Sequence, residues 1–365
     1  MEILIVSITG RSLSSYRNAC ILFEIRISSP TRYIGGGEIR KNDLILIGLT
    51  NYNTRSNMKT SEQRSLGRRE TGSNVWLESA SAREPVATGE SYRYQVLDTE
   101  DSVGEAMLQE LLDYAENNVG DVNIILLGGR GAQAMYKQIR SRIGTAQIDE
   151  LLSRLNVFTQ DALAPMRMAN GLSFVRDFER LLGDEFFAKV KSFTPMLTET
   201  DDIEGALIGY LDKLESLGGI DVFFLGLGPE ANAASHLCYI KPGSGATFKD
   251  VSGVIPISSS ILEHHVSKFK AGGSDISAED EAECRAATHI LTLGPAAILS
   301  AKKIVQSIVD ASTAPAKIES FARMTETTFA KDAGERAKQL DENPGLWIRL
   351  HPNVTSFVLP DLLGR

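Results

Sequence analysis

Glu230, Asn232 and His236 fall close together in FFLGLGPEANAASHL, just past an apolar run. The carboxylate and the imidazole suit proton transfer and the amide suits hydrogen bonding, provided the backbone brings them together. If the segment after Gly228-Pro229 is a helix, Asn232 and His236 share a face, while Glu230 and His236 do not meet on adjacent turns. Gly226 to Ala231 also fits the relaxed dinucleotide pattern G-x-G-x-x-A. That alternative is weak, because the helix would be cut short near Lys241-Pro242-Gly243 and no strand-ending acid follows at the expected distance.

Other candidates also follow apolar runs. Asp161, after LNVFTQ, suits a general base for a substrate C–H or a water, and suits a turn or helix cap equally well. Gly128, Gly129, Arg130 and Gly131 follow VNIILL. Adjacent glycines let backbone amides turn toward an anion, the next helix adds its dipole, and Arg130 adds a charge-assisted contact. An ordinary tight strand-to-helix turn would look the same. Lys317, beyond IVQSIV, fits either a phosphate ligand or a solvated surface lysine. Thr292 and Gly294 end the run HILTLG. Glu263-His264-His265 invites a metal, but adjacent side chains diverge on a helix or a strand, so these residues are expected on the surface and no metal site is expected.

Strands and helices alternate from Tyr92 onward, which is the pattern of a parallel α/β sheet. YRYQVL, VNIILL, LNVFTQ, DVFFLGLG, HILTLG and HPNVTSFVL read as strands. VGEAMLQELLDYAENN, capped by Ser102 with Glu105, reads as a helix, as do AMYKQIRSRI and LSFVRDFERLLGDEFFAKV. The expected fold class is α/β, a doubly wound and mainly parallel sheet with helices on both faces, spanning residues 91–365. Residues 1–90 form an N-terminal extension. ILIVSIT, ACILFEIRIS and NDLILIGLT suggest a small β-rich piece, and the Ser- and Arg-rich stretch from Asn51 to Glu90 reads as a linker.

Composition narrows the functional classes. The chain has 365 residues, 42% of them hydrophobic, enough for a substantial core. Its net charge is -9, with 13 Lys and Arg against 9 Asp and Glu in residues 1–95 and 25 against 38 thereafter. Such an acidic chain is not expected to bind nucleic acid or acidic membranes, so a small molecule or another protein is the expected partner. Cys20, Cys238 and Cys284 have no metal-ligand spacing and are too few for a disulfide framework. With no run long enough to span a bilayer and no secretory leader at the start, a cytoplasmic protein is expected.

The order of the motifs from about Tyr92 onward resembles the glucosamine-6-phosphate deaminase/isomerase and 6-phosphogluconolactonase superfamily. LLGGRGAQAMY, FTQDAL, FLGLGPEANAAS, HILTLGPAAILSAKKIV and LWIRLHPNVTSFVL stand where that superfamily has its phosphate loop, aspartate-bearing strand end, catalytic loop and last two signature segments. The resemblance implies a hexose or hexosamine 6-phosphate as substrate, no metal or organic cofactor, and Asp161 as the proton-moving base. It implies Gly128 to Gly131 as the phosphate site, with Lys317 as the lysine for it although the family's phosphate lysine aligns three residues earlier, near Ala314, and it leaves a homo-oligomer open. Deaminase/isomerase, lactonase and a binding protein without turnover are all compatible with it. The departures concern chemistry: Asp-Gly-His in the family's catalytic loop reads Glu230-Ala231-Asn232 here, and Lys241 in YIKPG stands where the deaminases have a glutamate. An amide exchanges no proton near neutral pH, so His236 is the imidazole left to replace the missing one.

Overall fold

The computed structural model describes residues 8–10, 23–25, 74–85 and 92–364. The chain forms two units, Met1–Met58 and Lys59–Arg365. In the first, β1 (Ile8–Gly10) pairs antiparallel with β2 (Phe23–Ile25). β1 overlaps the end of ILIVSIT and β2 falls within ACILFEIRIS; NDLILIGLT lies outside the described residues.

The second unit is built on a seven-stranded parallel sheet flanked by helices. In chain order the strands and helices are β3 (Val75–Glu78), β4 (Gln95–Val96), α1 (Glu100–Glu116), β5 (Val122–Leu126), α2 (Gln133–Arg142), α3 (Ala146–Arg154), β6 (Leu155–Thr159) and β7 (Asp161–Ala164). Then come α4 (Phe174–Leu182), α5 (Asp184–Lys189), β8 (Ser192–Thr194), α6 (Ile203–Ser216), β9 (Val222–Leu225), β10 (Gly228–Pro229), β11 (Ser235–His236), β12 (Asp250–Pro256), α7 (Ser259–Ala271) and α8 (Ala278–Arg285). The last are β13 (His289–Leu293), α9 (Pro295–Ser300), β14 (Lys303–Ile308), α10 (Ala316–Glu326), α11 (Ala333–Glu342) and β15 (Val354–Val358).

The parallel sheet has the order β4-β15-β14-β9-β5-β6-β8. Its central strands are continuous apolar runs, with VNIIL and VFFL buried at every position, because helices cover the sheet. Helix α1 begins earlier than Ser102: Thr99 is its cap, its Oγ1 accepts from Ser102 N at 3.1 Å, and Ser102 closes the capping box from inside the helix. The run LSFVRDFERLLGDEFFAKV is two helices, broken where Gly183 takes φ 78°.

A second sheet, β3-β12-β13-β7, is antiparallel, so HILTLG does not join the parallel sheet as its motif suggested. Part of the stretch read as a linker also belongs here. Val75–Glu78 pairs with Asp250–Val254, and Trp76, 1% exposed, donates from Nε1 to Ser244 O at 3.1 Å. A Cβ on Gly253 would stand 2.5 Å from the indole, so the partner strand needs glycine there. Truncating this buried anchor leaves a cavity, and Trp76→Ala is expected to lower stability by about 3–5 kcal/mol in urea unfolding. A loss below about 1 kcal/mol would show that β3 contributes no core.

Candidate functional site

The chain leaves the parallel sheet at the carboxyl end of β6 and enters the antiparallel sheet at once. Leu293 N donates to Gln160 O at 3.0 Å, and Asp161 pairs in register with Thr292. This change of sheet puts Asp161 on the wall of a cleft outside the carboxyl ends of the parallel strands, where open α/β sheets bind ligands. Asp161 is 2% exposed and its Oδ1 has no hydrogen-bond partner. Burial pushes its pKa up to about 8, only partly offset by a hydrogen bond from Gln160, so the side chain is a neutral acid at pH 7.

The segment after Gly228 is a tight hairpin, not a helix, and this reverses the expected pairing. β10 and β11 pair antiparallel, Gly228 opposite His236, through a turn in which Asn232 and Ala233 take φ of 59° and 58°. Glu230 and His236 therefore meet: His236 Nδ1 lies 2.8 Å from Glu230 Oε1. With Nδ1–H donated to the carboxylate, Nε2 is left as the basic nitrogen. Burial pushes the His236 pKa down against the pull of Glu230, so the ring is neutral. A Cβ on Gly228 would lie 1.8 Å from Nε2, so this glycine makes room for the imidazole. Asn232 is exposed, and its carbonyl accepts from Arg323 Nη1 at 2.6 Å. The structure does not bring its side chain into the cleft; Glu230 reaches the cleft through the His236 ring.

Gly128, Gly129, Arg130 and Gly131 line the other wall, ahead of α2. A Cβ on Gly128 would lie 2.2 Å from the Phe174 ring, and Gly129 has φ 80°. Arg130 is turned toward Glu100, with Nε 3.3 Å from Oε2, and sits at the half-exposed rim. Lys317, in the first turn of α10, is 4% exposed and pairs with Asp310, whose other oxygen is 3.3 Å from Lys268 Nζ. Burial and then the charge of Lys268 draw the Lys317 pKa down to about 7, against the pull of Asp310. Asp310 is also buried, yet the charges of Lys317 and Lys268 hold it below the usual carboxylate range.

Sequence reasoning placed His264 and His265 on the surface, but both line the cleft. His265 Nε2 lies 2.7 Å from Leu172 O and its Nδ1 lies 3.1 Å from Tyr239 Oη, a structural arrangement. His264 Nε2 is buried without a partner, and burial holds that ring neutral. Ile261, His265 and Phe269 repeat on the buried face of α7, and His264 and Lys268 run beside it four residues apart, which is the signal that was available.

The cleft has about 60 Å³ open, on a measure by which one water takes roughly 10–15 Å³. That is room for a few waters, and a hexose phosphate enters only if side chains move. A larger hollow of about 760 Å³, lined by Leu211, Leu214, Ile220 and residues 77–83, contains no histidine, lysine or aspartate. Among the described residues no group of His, Cys, Asp and Glu is arranged to hold a metal ion, and no helix is long and apolar enough to cross a membrane.

The fold matches known structures. The chain has the fold of the glucosamine-6-phosphate deaminases and 6-phosphogluconolactonases. A monomeric glucosamine-6-phosphate deaminase superposes with TM-score 0.58 at 19% identity, over 75% of this chain and 99% of that one. The 6-phosphogluconolactonase of Trypanosoma brucei gives 0.54 at 16%, over 75% and 99%. That of Trypanosoma cruzi gives 0.52 at 13%, over 76% and 98%. No protein-family model and no curated protein matches the sequence. At these identities the likeness establishes the fold, and the chemistry has to be argued from the residues.

Two expected outcomes follow from the burial of these groups. The folded state keeps a proton on Asp161 between about pH 4 and 8, whereas the unfolded chain loses it near 4, so stability falls across that window by up to about 1.4 kcal/mol per pH unit. Asp161→Asn removes this loss, and in urea unfolding the variant gains on the wild type from pH 5 to pH 9; a constant difference would mean that Asp161 is ionised throughout. Gly228→Ala forces the His236 ring out of its buried place, and the lost desolvation would appear by NMR titration as a His236 pKa moving up toward the ordinary 6.5. An unchanged titration would refute the close packing.

Proposed function

We propose that the cleft binds a hexose or hexosamine 6-phosphate and moves protons on it, as an aldose–ketose isomerase or deaminase. The observation that carries this reading is His236, held by Glu230, in the same cleft as Asp161, whose Oδ1 has no partner. The amides of Gly128 to Gly131, the amino end of α2 and Lys317 are suited to the phosphate. His236, oriented by Glu230, exchanges a proton through Nε2 as the sugar ring opens. Asp161 then moves a proton between C2 and C1. An ammonium at C2 offsets the lost solvation of a carboxylate beside it, so an amino sugar draws Asp161 from acid toward base. No step requires a metal or an organic cofactor.

A lactonase-type hydrolysis is the second reading, and the same pair favours it. A neutral imidazole held by a carboxylate is a sufficient base for a water, and this route does not need Asp161 ionised.

Thermal melting with glucosamine 6-phosphate, fructose 6-phosphate, 6-phosphogluconate and their unphosphorylated counterparts tests the substrate class. Stabilisation of about 2.7 kcal/mol is expected at a concentration 100 times the dissociation constant, from phosphorylated sugars only. Turnover of any of them should fall about 10²–10⁴-fold in His236→Ala, and much less in Asn232→Ala. Binding without turnover would leave a sugar-phosphate-binding protein, and no stabilisation by any sugar would end the assignment.

A further inference from the structure

We infer that the Asp310 carboxylate is a built-in stand-in for the ligand's phosphate, neutralising the cationic end of the cleft while it is empty and giving up its lysines when a phosphate enters. This deepens the sugar-phosphate reading and rests on it.

Asp310 lies two residues beyond β14 and lines the cleft. It and Lys317 are both about 4% exposed. Its two oxygens take one lysine each from different helices: Lys317 of α10 on Oδ1 and Lys268 of α7 on Oδ2. Among the described residues the only other acid in the lining is Asp161, which burial holds protonated, so Asp310 supplies the negative charge there. Nearby Arg130 is paired with Glu100, and His236 and His264 are neutral. A buried ammonium without a counter-ion is costly, and breaking a buried pair strands its partner. An empty cleft carrying two lysines thus requires an anion of its own.

The same groups are what a phosphate seeks. Two ammonium groups converge on one point, and Gly128 to Gly131 form part of the same lining. A phosphate brought to those lysines faces the Asp310 carboxylate, and like charges at such a distance repel. Binding is therefore an exchange of anions, in which Asp310 swings out or takes a proton. The exchange weakens affinity for phosphate but keeps the empty protein folded. It also accounts for the small open volume, since Asp310 and its lysines stand where the ligand would lie.

Calorimetric titration of the full chain with inorganic phosphate and with glucosamine 6-phosphate, at one fixed ionic strength, tests the exchange. Asp310→Asn keeps the shape and removes the charge. It should bind both ligands at least tenfold more tightly than the wild type, melt lower in phosphate-free buffer, and gain more in melting temperature from phosphate than the wild type does. Lys317→Met should bind neither. If Asp310→Asn is not recovered folded, Asp310→Ser carries the same expectation. Binding by the wild type that is unchanged or weaker in the Asp310 variants overturns the stand-in role while the phosphate reading survives. Absence of binding by wild type and variants alike overturns both.

Discussion

Everything in the cleft depends on one change of sheet. Leu155–Thr159 is hydrogen-bonded in the parallel sheet, and from Asp161 the same chain is hydrogen-bonded to His289–Leu293 in the antiparallel one. A strand can change partners only where one ladder ends, so the residue at the junction is held by backbone on both sides. Asp161 is that residue, and its fixed position keeps a carboxyl buried with its Oδ1 unpartnered. The glycine loop, the hairpin of His236 and the helices carrying Lys268 and Lys317 close around the same place.

Two aspartates beyond parallel strands show how environment divides a shared chemistry. Asp161 lies in surroundings that offer its Oδ1 no donor, and desolvation keeps its proton on to about pH 8. Asp310 is nearly as buried, but two lysines hold it ionised. One is thereby equipped to give or take a proton and the other to act as a fixed charge. Neither role follows from residue type.

The hairpin shows how a turn of the backbone brings an imidazole into the cleft. Asn232 sits at an exposed turn where its left-handed backbone, braced by Arg323, folds the chain back and sets Glu230 against His236. Its contribution is conformational. Arg323 and Lys317 belong to the same helix, which thus carries both the brace on the hairpin and the lysine paired with Asp310.

The sequence alone determined the layered α/β fold and the strand ends at which the candidate site residues lie, because continuous apolar runs and helical periodicity are local consequences of burial and hydrogen bonding. VNIIL and VFFL could be little else, and Asp161 and Gly128 to Gly131 were visible as the residues that follow such runs. Tertiary structure decided the rest. Non-glycine residues with positive φ leave little trace in a sequence, so a hairpin looked like a helix and the wrong pair of side chains seemed to meet. The pairing of Lys317 with Asp310 and Lys268, the inward turn of His264 and the docking of Trp76 join residues far apart in the chain. Such contacts are set by desolvation and charge in three dimensions, which local pattern does not record.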